Sequence, residues 1–167
     1  MSRRATRTYL EMRDPSELRP APWPEPGARV DELRECPPSF WLYLYSEVGR
    51  AYHWTDRLGW TNEEIAAYLA DPAIRLWLLT VDATPAGYFE LRCDADRAIE
   101  IAYFGLLPEF VGRGLGKALL SAAAAEAWRA EPSRVWLHTS TLDHPAALPN
   151  YLARGFKIFK REEYDVS

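Results

Sequence analysis

The sequence predicts an α+β fold built on a mixed sheet, and three observations carry that prediction. The β-rich runs "IRLWLLTV", "AGYFELR" and "AIEIAYFGLL" follow one another with only short polar turns between them, which reads as an antiparallel meander. Segments with helical spacing lie outside that block rather than between its strands, so regular βαβ alternation is absent. After the block, "GRGLG" gives way at once to "KALLSAAAAEAWRA", three glycines followed by the best helix formers.

In chain order, "TRTYLEM" (6–12) alternates as a first strand. Residues 14–38 then carry seven of the thirteen prolines, including "RPAPWPEPG", which excludes regular helix or central strand. With one short strand before it, this stretch reads as an ordered surface excursion inside one domain spanning 1–167. Helical spacing runs through "SFWLYLYSEVGRAYHW", with Ser39 as the expected cap. "TNEEIAAYLADP" is a second helix, opened by Thr61 with Glu64 three residues on as a capping box and ended by Asp71 and Pro72. After the meander, the long alanine-rich helix stops before Pro132. "RVWLHTS" is a strand, "HPAALPNYLARG" a short helix closed by Gly155, and "FKIFKREEY" a last strand.

A chain of 167 residues with 48% hydrophobic content suffices for one buried core. Its net charge of −4 is mixed in sign, so no whole-molecule field would hold a polyanion and nucleic acid is not the expected partner. Cys36 and Cys93 are far apart, without a Cys-x-x-Cys motif, which suits a reducing compartment. The opening "MSRRATRTYLEM" has no apolar run after its arginines, so no signal peptide or membrane span is expected, and a cytoplasmic protein is. His53, His138 and His144 share no metal-ligand spacing with each other or with the cysteines, so no metal is expected.

The glycine stretch is the informative one. A strand running into glycines and then a helix presents bare main-chain N–H groups at a helix N-terminus, where the dipole favours an anion. Arg113 and Lys117 add two cations, which points to a phosphate. A Walker loop is excluded because Val111 stands at its first glycine and Ala118 at its hydroxyl position. The dinucleotide fingerprint is excluded because Lys117 stands at its third glycine.

"FGLLPEFVGRGLGKALL" resembles the acyl-CoA-binding core of the GCN5-related N-acetyltransferases (the GNAT superfamily), whose pattern is Gln/Arg-x-x-Gly-x-Gly/Ala. "PNYLARGF" is similar to that family's C-terminal Tyr-x-x-x-Gly-Phe signature, and the order of elements agrees over about residues 6–164. The resemblance implies a central, mostly antiparallel, splayed sheet flanked by helices. It implies acetyl-CoA as co-substrate, with its pyrophosphate on the backbone of Gly112, Arg113, Gly114, Leu115, Gly116 and Lys117, and its pantetheine arm along Phe104, Gly105 and Leu106 as an added strand. Homodimers are frequent in the family. This chain departs from the pattern in having Val111 where Gln or Arg is usual, and His144 where the family often has Asn near the CoA.

Acyl transfer to an amine needs a base, because an ordinary primary amine with a pKa of about 10.4 is almost wholly protonated at pH 7. Glu100 lies between two isoleucines and should point away from their face; its distance to the glycine loop also resembles that of the glutamate base in histone-acetylating members. Glu90, on the neighbouring strand, is the second candidate. Tyr151, four residues before Gly155, matches the family's general-acid tyrosine, and a backbone N–H near Leu106 would stabilise the oxyanion. Trp54, Asp56 and Trp60, in the aromatic connection "YHWTDRLGW", are candidate acceptor-pocket residues. The expected activity is acetyl transfer to a primary amine of a small molecule or peptide by direct attack in a ternary complex. The alternative is an acyl-CoA-binding or sensing module without catalysis.

Overall fold

A computed structural model describes residues 3–166. All seven strands join one sheet in the order β2-β3-β4-β5-β6-β1-β7. They are β1 Arg3–Met12, β2 Ala28–Glu32, β3 Ile74–Val81, β4 Thr84–Cys93, β5 Ile99–Leu106, β6 Val135–Ser140 and β7 Lys157–Val166. The helices are α1 Pro38–Gly49, α2 Asn62–Ala70, α3 Leu115–Arg129 and α4 Ala147–Ala153.

Every neighbouring pair is antiparallel except β5 and β6, which run parallel and pair only at Ile99↔Val135 and Glu100↔Trp136. Beyond Glu100 the two strands part, so the sheet opens as a wedge. A bulge contributes to the splay: Leu91 faces Ile101 but Glu90 faces Tyr103, leaving Ala102 without a partner. An extra residue of this kind bends its strand and reverses the side-chain alternation beyond it.

Alternation divides the core into two layers. On one face α3 buries Leu115, Leu119, Ala123, Ala124 and Ala127 against Phe89, Ile99, Ile101 and Leu137. On the other, α1 and α2 place Trp41, Leu44, Val48 and Ile65 over Leu76 and Tyr88. The burial of these apolar side chains is the main force holding sheet to helices.

Two local expectations are corrected, and one element the sequence reading did not assign is added. The excursion at 14–38 contains the edge strand β2, paired to β3 through Ala28↔Val81 to Glu32↔Trp77. Helix α1 is not capped by Ser39: it begins at Pro38 after Pro37 with no side-chain cap bond, using a residue whose fixed φ and missing N–H suit the first helical turn. It also stops at Gly49, because the chain doubles back and lays Trp54 where a Cβ on Gly49 would stand, 2.2 Å from the Trp54 Cβ. The Thr61–Glu64 capping box of α2 forms as expected, each side chain accepting the other residue's main-chain N–H.

Candidate active site

The wedge between β5 and β6 holds a cavity of about 850 Å³. Its walls are the open side of β5, the glycine loop, α4 and the connection from α1 to α2, and its floor rises where the two strands meet at Glu100.

At one end stands the glycine loop. Gly112 and Gly114 have φ of 87° and 79°, a left-handed conformation that side-chain-bearing residues rarely adopt. Gly114 is the N-cap of α3. Among the described residues the N–H groups of Gly112, Arg113 and Gly114 find no main-chain acceptor, and those of Leu115, Gly116 and Lys117 open the helix, where no intrahelical partner exists. Gly112, Gly114, Gly116 and Lys117 line the cavity. The Arg113 side chain does not: it turns outward to pair with Glu25 of the excursion and lies over the Phe110 ring at 4.9 Å. Leu115 is fully buried in the core, leaving only its main chain to face a ligand.

Along the wall, the Leu107 N–H bonds to the Ala86 carbonyl of β4 at 2.8 Å. Strand alternation therefore aims the amides of Leu106 and Phe104 away from β4, toward the unpaired edge. Gly105 lies between them where no side chain fits, since a Cβ there would stand 2.4 Å from Val48 Cγ1. The edge thus leaves main-chain groups unpaired on the cavity side.

Glu100 lies at the floor with its side chain only 12% exposed. Arg92 Nη1 is 3.8 Å from Oε1 and His138 Nε2 is 3.7 Å from Oε2. Burial raises the Glu100 carboxyl above its ordinary value, against the pull of Arg92 and with a push from Glu90. Tyr151 enters from α4, edge-on to Phe104 at 6.2 Å and Phe156 at 6.4 Å. Its phenol has no hydrogen-bond partner among the described residues, and burial, with Asp143, raises its pKa. It is therefore protonated at neutral pH.

Glu90 is not brought to the cavity. Its side chain is wholly buried, and both oxygens are engaged, by Arg57 Nη1 at 3.1 and 3.2 Å, Trp41 Nε1 at 3.2 Å and the Tyr68 hydroxyl at 2.6 Å. A carboxylate whose two oxygens are so engaged does not line the cavity, and the sequence candidate is corrected to a structural anion. Burial next to that anion pushes the Tyr68 phenol up to about 12.

The α1–α2 connection brings Trp54 and Asp56 to the cavity wall. Trp54 packs edge-on to Tyr103 at 5.1 Å. Trp60 lies elsewhere, stacked on Trp41 at 5.6 Å beneath the wall, because the intervening Arg57 draws that end of the loop inward. His144 lines the cavity, accepts the Ala146 N–H on Nδ1 at 3.0 Å and meets Tyr52 edge-on.

Sequence reasoning missed Arg7, Arg92, His138, Tyr103 and Asn150, all of which line the cavity. Asn150 donates to the Gly116 carbonyl at 3.3 Å and keeps its buried Oδ1 without a partner among the described residues. Strand period offered a signal for Arg92 and His138, which lie on the Glu100 face of β4 and β6. Among the described residues no group of three or more His, Cys, Asp and Glu could hold a metal ion, and no helix is long and apolar enough to cross a membrane.

The model of the acetyltransferase (GNAT) family matches residues 11–156. No curated protein matches the chain significantly. Among solved structures, a GCN5-related N-acetyltransferase from Sphaerobacter thermophilus superposes with TM-score 0.68 at 16% identity, over 98% of this chain and 52% of that one. A functionally unknown conserved protein from Staphylococcus epidermidis gives TM-score 0.65 at 19% identity, over 98% and 60%. An aminoglycoside acetyltransferase from an uncultured soil metagenomic sample, solved in complex with sisomicin, gives 0.62 at 12%, over 77% and 88%. The chain spans 50–60% of the length of the first four solved chains, and at these identities the likeness is one of fold.

Proposed function

Since the chain belongs to the GNAT family of acetyltransferases, we propose that it transfers acetyl from acetyl-CoA to a primary amine of a small molecule or peptide, by direct attack in a ternary complex. The observation that carries this reading is the continuity of one cavity from the unbonded amides at Gly112 and Gly114, past the open edge of β5, to Glu100 and Tyr151.

Each part of the wall has a task. The amides of the glycine loop and Lys117 hold the diphosphate of CoA, while the Phe104 and Leu106 edge pairs with the pantetheine amides. The co-substrate supplies the thioester. Glu100 takes a proton from the acceptor ammonium so that nitrogen regains its lone pair, directly or through a water; its raised proton affinity brings it closer to working pH. A Leu106 or Phe104 N–H on the open edge stabilises negative charge developing on the acyl oxygen. Tyr151, protonated, gives its proton to the departing sulfur and regains one from the second N–H that the acylated nitrogen loses, so the phenol is restored and one proton in all leaves through Glu100. Neither cysteine lines the cavity, which favours direct attack over an acyl-enzyme.

The acceptor enters between Trp54, Asp56 and Tyr103. Asp56 is exposed and forms no ion pair among the described residues, which favours a cationic acceptor. The test is thiol release from acetyl-CoA against a panel of amines, with product mass detected. The panel includes an aminoglycoside, because one solved neighbour acts on that class. Turnover abolished in Glu100→Gln and Tyr151→Phe supports the reading. Saturable acetyl-CoA binding with no turnover on any acceptor instead supports a binding module, a reading favoured by the outward turn of Arg113 and by Val111 in place of a polar residue.

A further inference from the structure

We propose that His138 is the proton outlet of this site, receiving from Glu100 the proton taken from the acceptor and passing it to solvent. The inference rests on the acetyltransferase reading above and adds a residue that the sequence motifs do not mark.

The placement comes from the wedge. Glu100 and Trp136 form the last β5–β6 pair, and His138 is the next residue of β6 on the same face. The Glu100–His138 contact therefore spans the gap at the point where the strands part, with Nε2 3.7 Å from Oε2. One bridging water or a small rotamer change closes that distance, and such contacts commonly tighten only when substrate is bound. The histidine side chain is 40% exposed and lines the cavity, while Glu100 is almost shut off from solvent. A proton on Glu100 thus has a titratable neighbour with access to water.

The surroundings match the two groups. Isolated Glu and His differ by about two pKa units, so a proton would favour His about a hundredfold. Here burial, Arg7 of β1 and Arg92 of β4 depress the imidazole, opposed by Asp143 beyond β6 and Glu162 of β7. Burial and Glu90 raise Glu100, opposed by Arg92 and Arg57. The proton affinities converge, which makes transfer in either direction easy. The steps balance: an ammonium N–H bond breaks with its electron pair kept on nitrogen, an O–H bond forms on Glu100, and that proton moves to Nε2 and then to water. Glu100 and the neutral imidazole are regenerated.

The experiment combines His138→Ala and His138→Gln with the imidazole NMR titration of His138 in wild type and Glu100→Gln. With an acceptor found in the screen, both variants should lose about 10- to 100-fold in kcat with the acetyl-CoA KM unchanged within twofold. Added imidazole should restore His138→Ala in a pH-dependent way, which lost packing against Tyr9 and Trp136 would not allow. Without any acceptor, the His138 midpoint should fall when Glu100 loses its charge. Unchanged kcat, a loss that imidazole does not rescue, or a midpoint that ignores Glu100→Gln overturns the outlet while leaving the acetyltransferase reading intact. Failure of the wild-type protein to bind acetyl-CoA overturns both.

Discussion

Arg57 Nη1 lies 3.1 and 3.2 Å from the two carboxylate oxygens of Glu90, and both side chains are almost completely buried. The guanidinium is ringed by Trp41, Trp60, Tyr68 and Tyr103 at 4.2 to 5.1 Å, and the Arg57 N–H reaches the Tyr45 hydroxyl at 3.3 Å. Arg57 thus bolts the α1–α2 connection, with Trp54 and Asp56, to the middle of the sheet.

Breaking this pair on one side leaves a buried charge without its partner. Arg57→Met and Glu90→Gln should each destabilise the fold, the former by about 3–5 kcal/mol. In urea unfolding the double variant should cost less than the sum of the singles by about 1–3 kcal/mol. Hydrogen exchange should rise first at residues 50–60, ahead of α3.

At Gly114 the backbone requirement and the proposed ligand requirement coincide. Gly114→Ala places a Cβ 3.6 Å from Pro24, an ordinary contact, but at φ 79°, which costs about 1–2 kcal/mol. If the helix start shifts to relieve that strain, two or more amides lose their aim at the proposed diphosphate site. Calorimetry should then show acetyl-CoA binding weakened at least tenfold, since each charge-assisted bond contributes about 1.5–3 kcal/mol. Unaltered affinity would remove the loop from the binding site.

Which parts were legible depended on how local their causes are. Glu100 announced its face because Ile99 and Ile101 on either side are buried. The order of elements and the capping box at Thr61 follow from period and cap chemistry within a few residues. Strand β2 was hidden because prolines dominate its surroundings, and its own burial is that of an edge, half-buried and exposed in turn. Trp54 and Trp60 have the same composition and neighbourhood, and only the inward course of Arg57 between them decides which meets the cavity. The bulge at Ala102, which turns Tyr103 onto the Glu100 face, depends on the pairing partner in β4 and leaves no mark in β5 alone.

Arg113 and Lys117 looked equivalent in sequence but have separated in space. Arg113 is engaged by Glu25, 88 positions earlier, whereas Lys117 lines the cavity. Lys117→Ala should weaken acetyl-CoA binding about tenfold and flatten its salt dependence, while Arg113→Ala should stay within about threefold of wild type. Titration at two salt concentrations checks both. The reverse ranking would mean that Arg113 leaves Glu25 for the phosphate when ligand arrives.

The raised proton affinity of Glu100 should also appear in stability. A carboxyl whose folded pKa exceeds its unfolded value binds more protons when folded. Stability therefore falls as pH rises from the unfolded value of about 4.3 through the folded one, and the penalty is constant above that. Glu100→Gln removes the ionisation, so its advantage over wild type should be small near pH 4 and open progressively toward pH 7. Parallel thermal melts over that range check the sign. Activity should move oppositely, because the same ionisation that weakens the fold supplies the proposed base: kcat/KM of wild type should fall below an acidic limb that lies above the ordinary glutamate range. A variant gap that closed with rising pH would place Glu100 in a net stabilising pair with Arg92, and so remove the desolvation on which its proposed role as base depends.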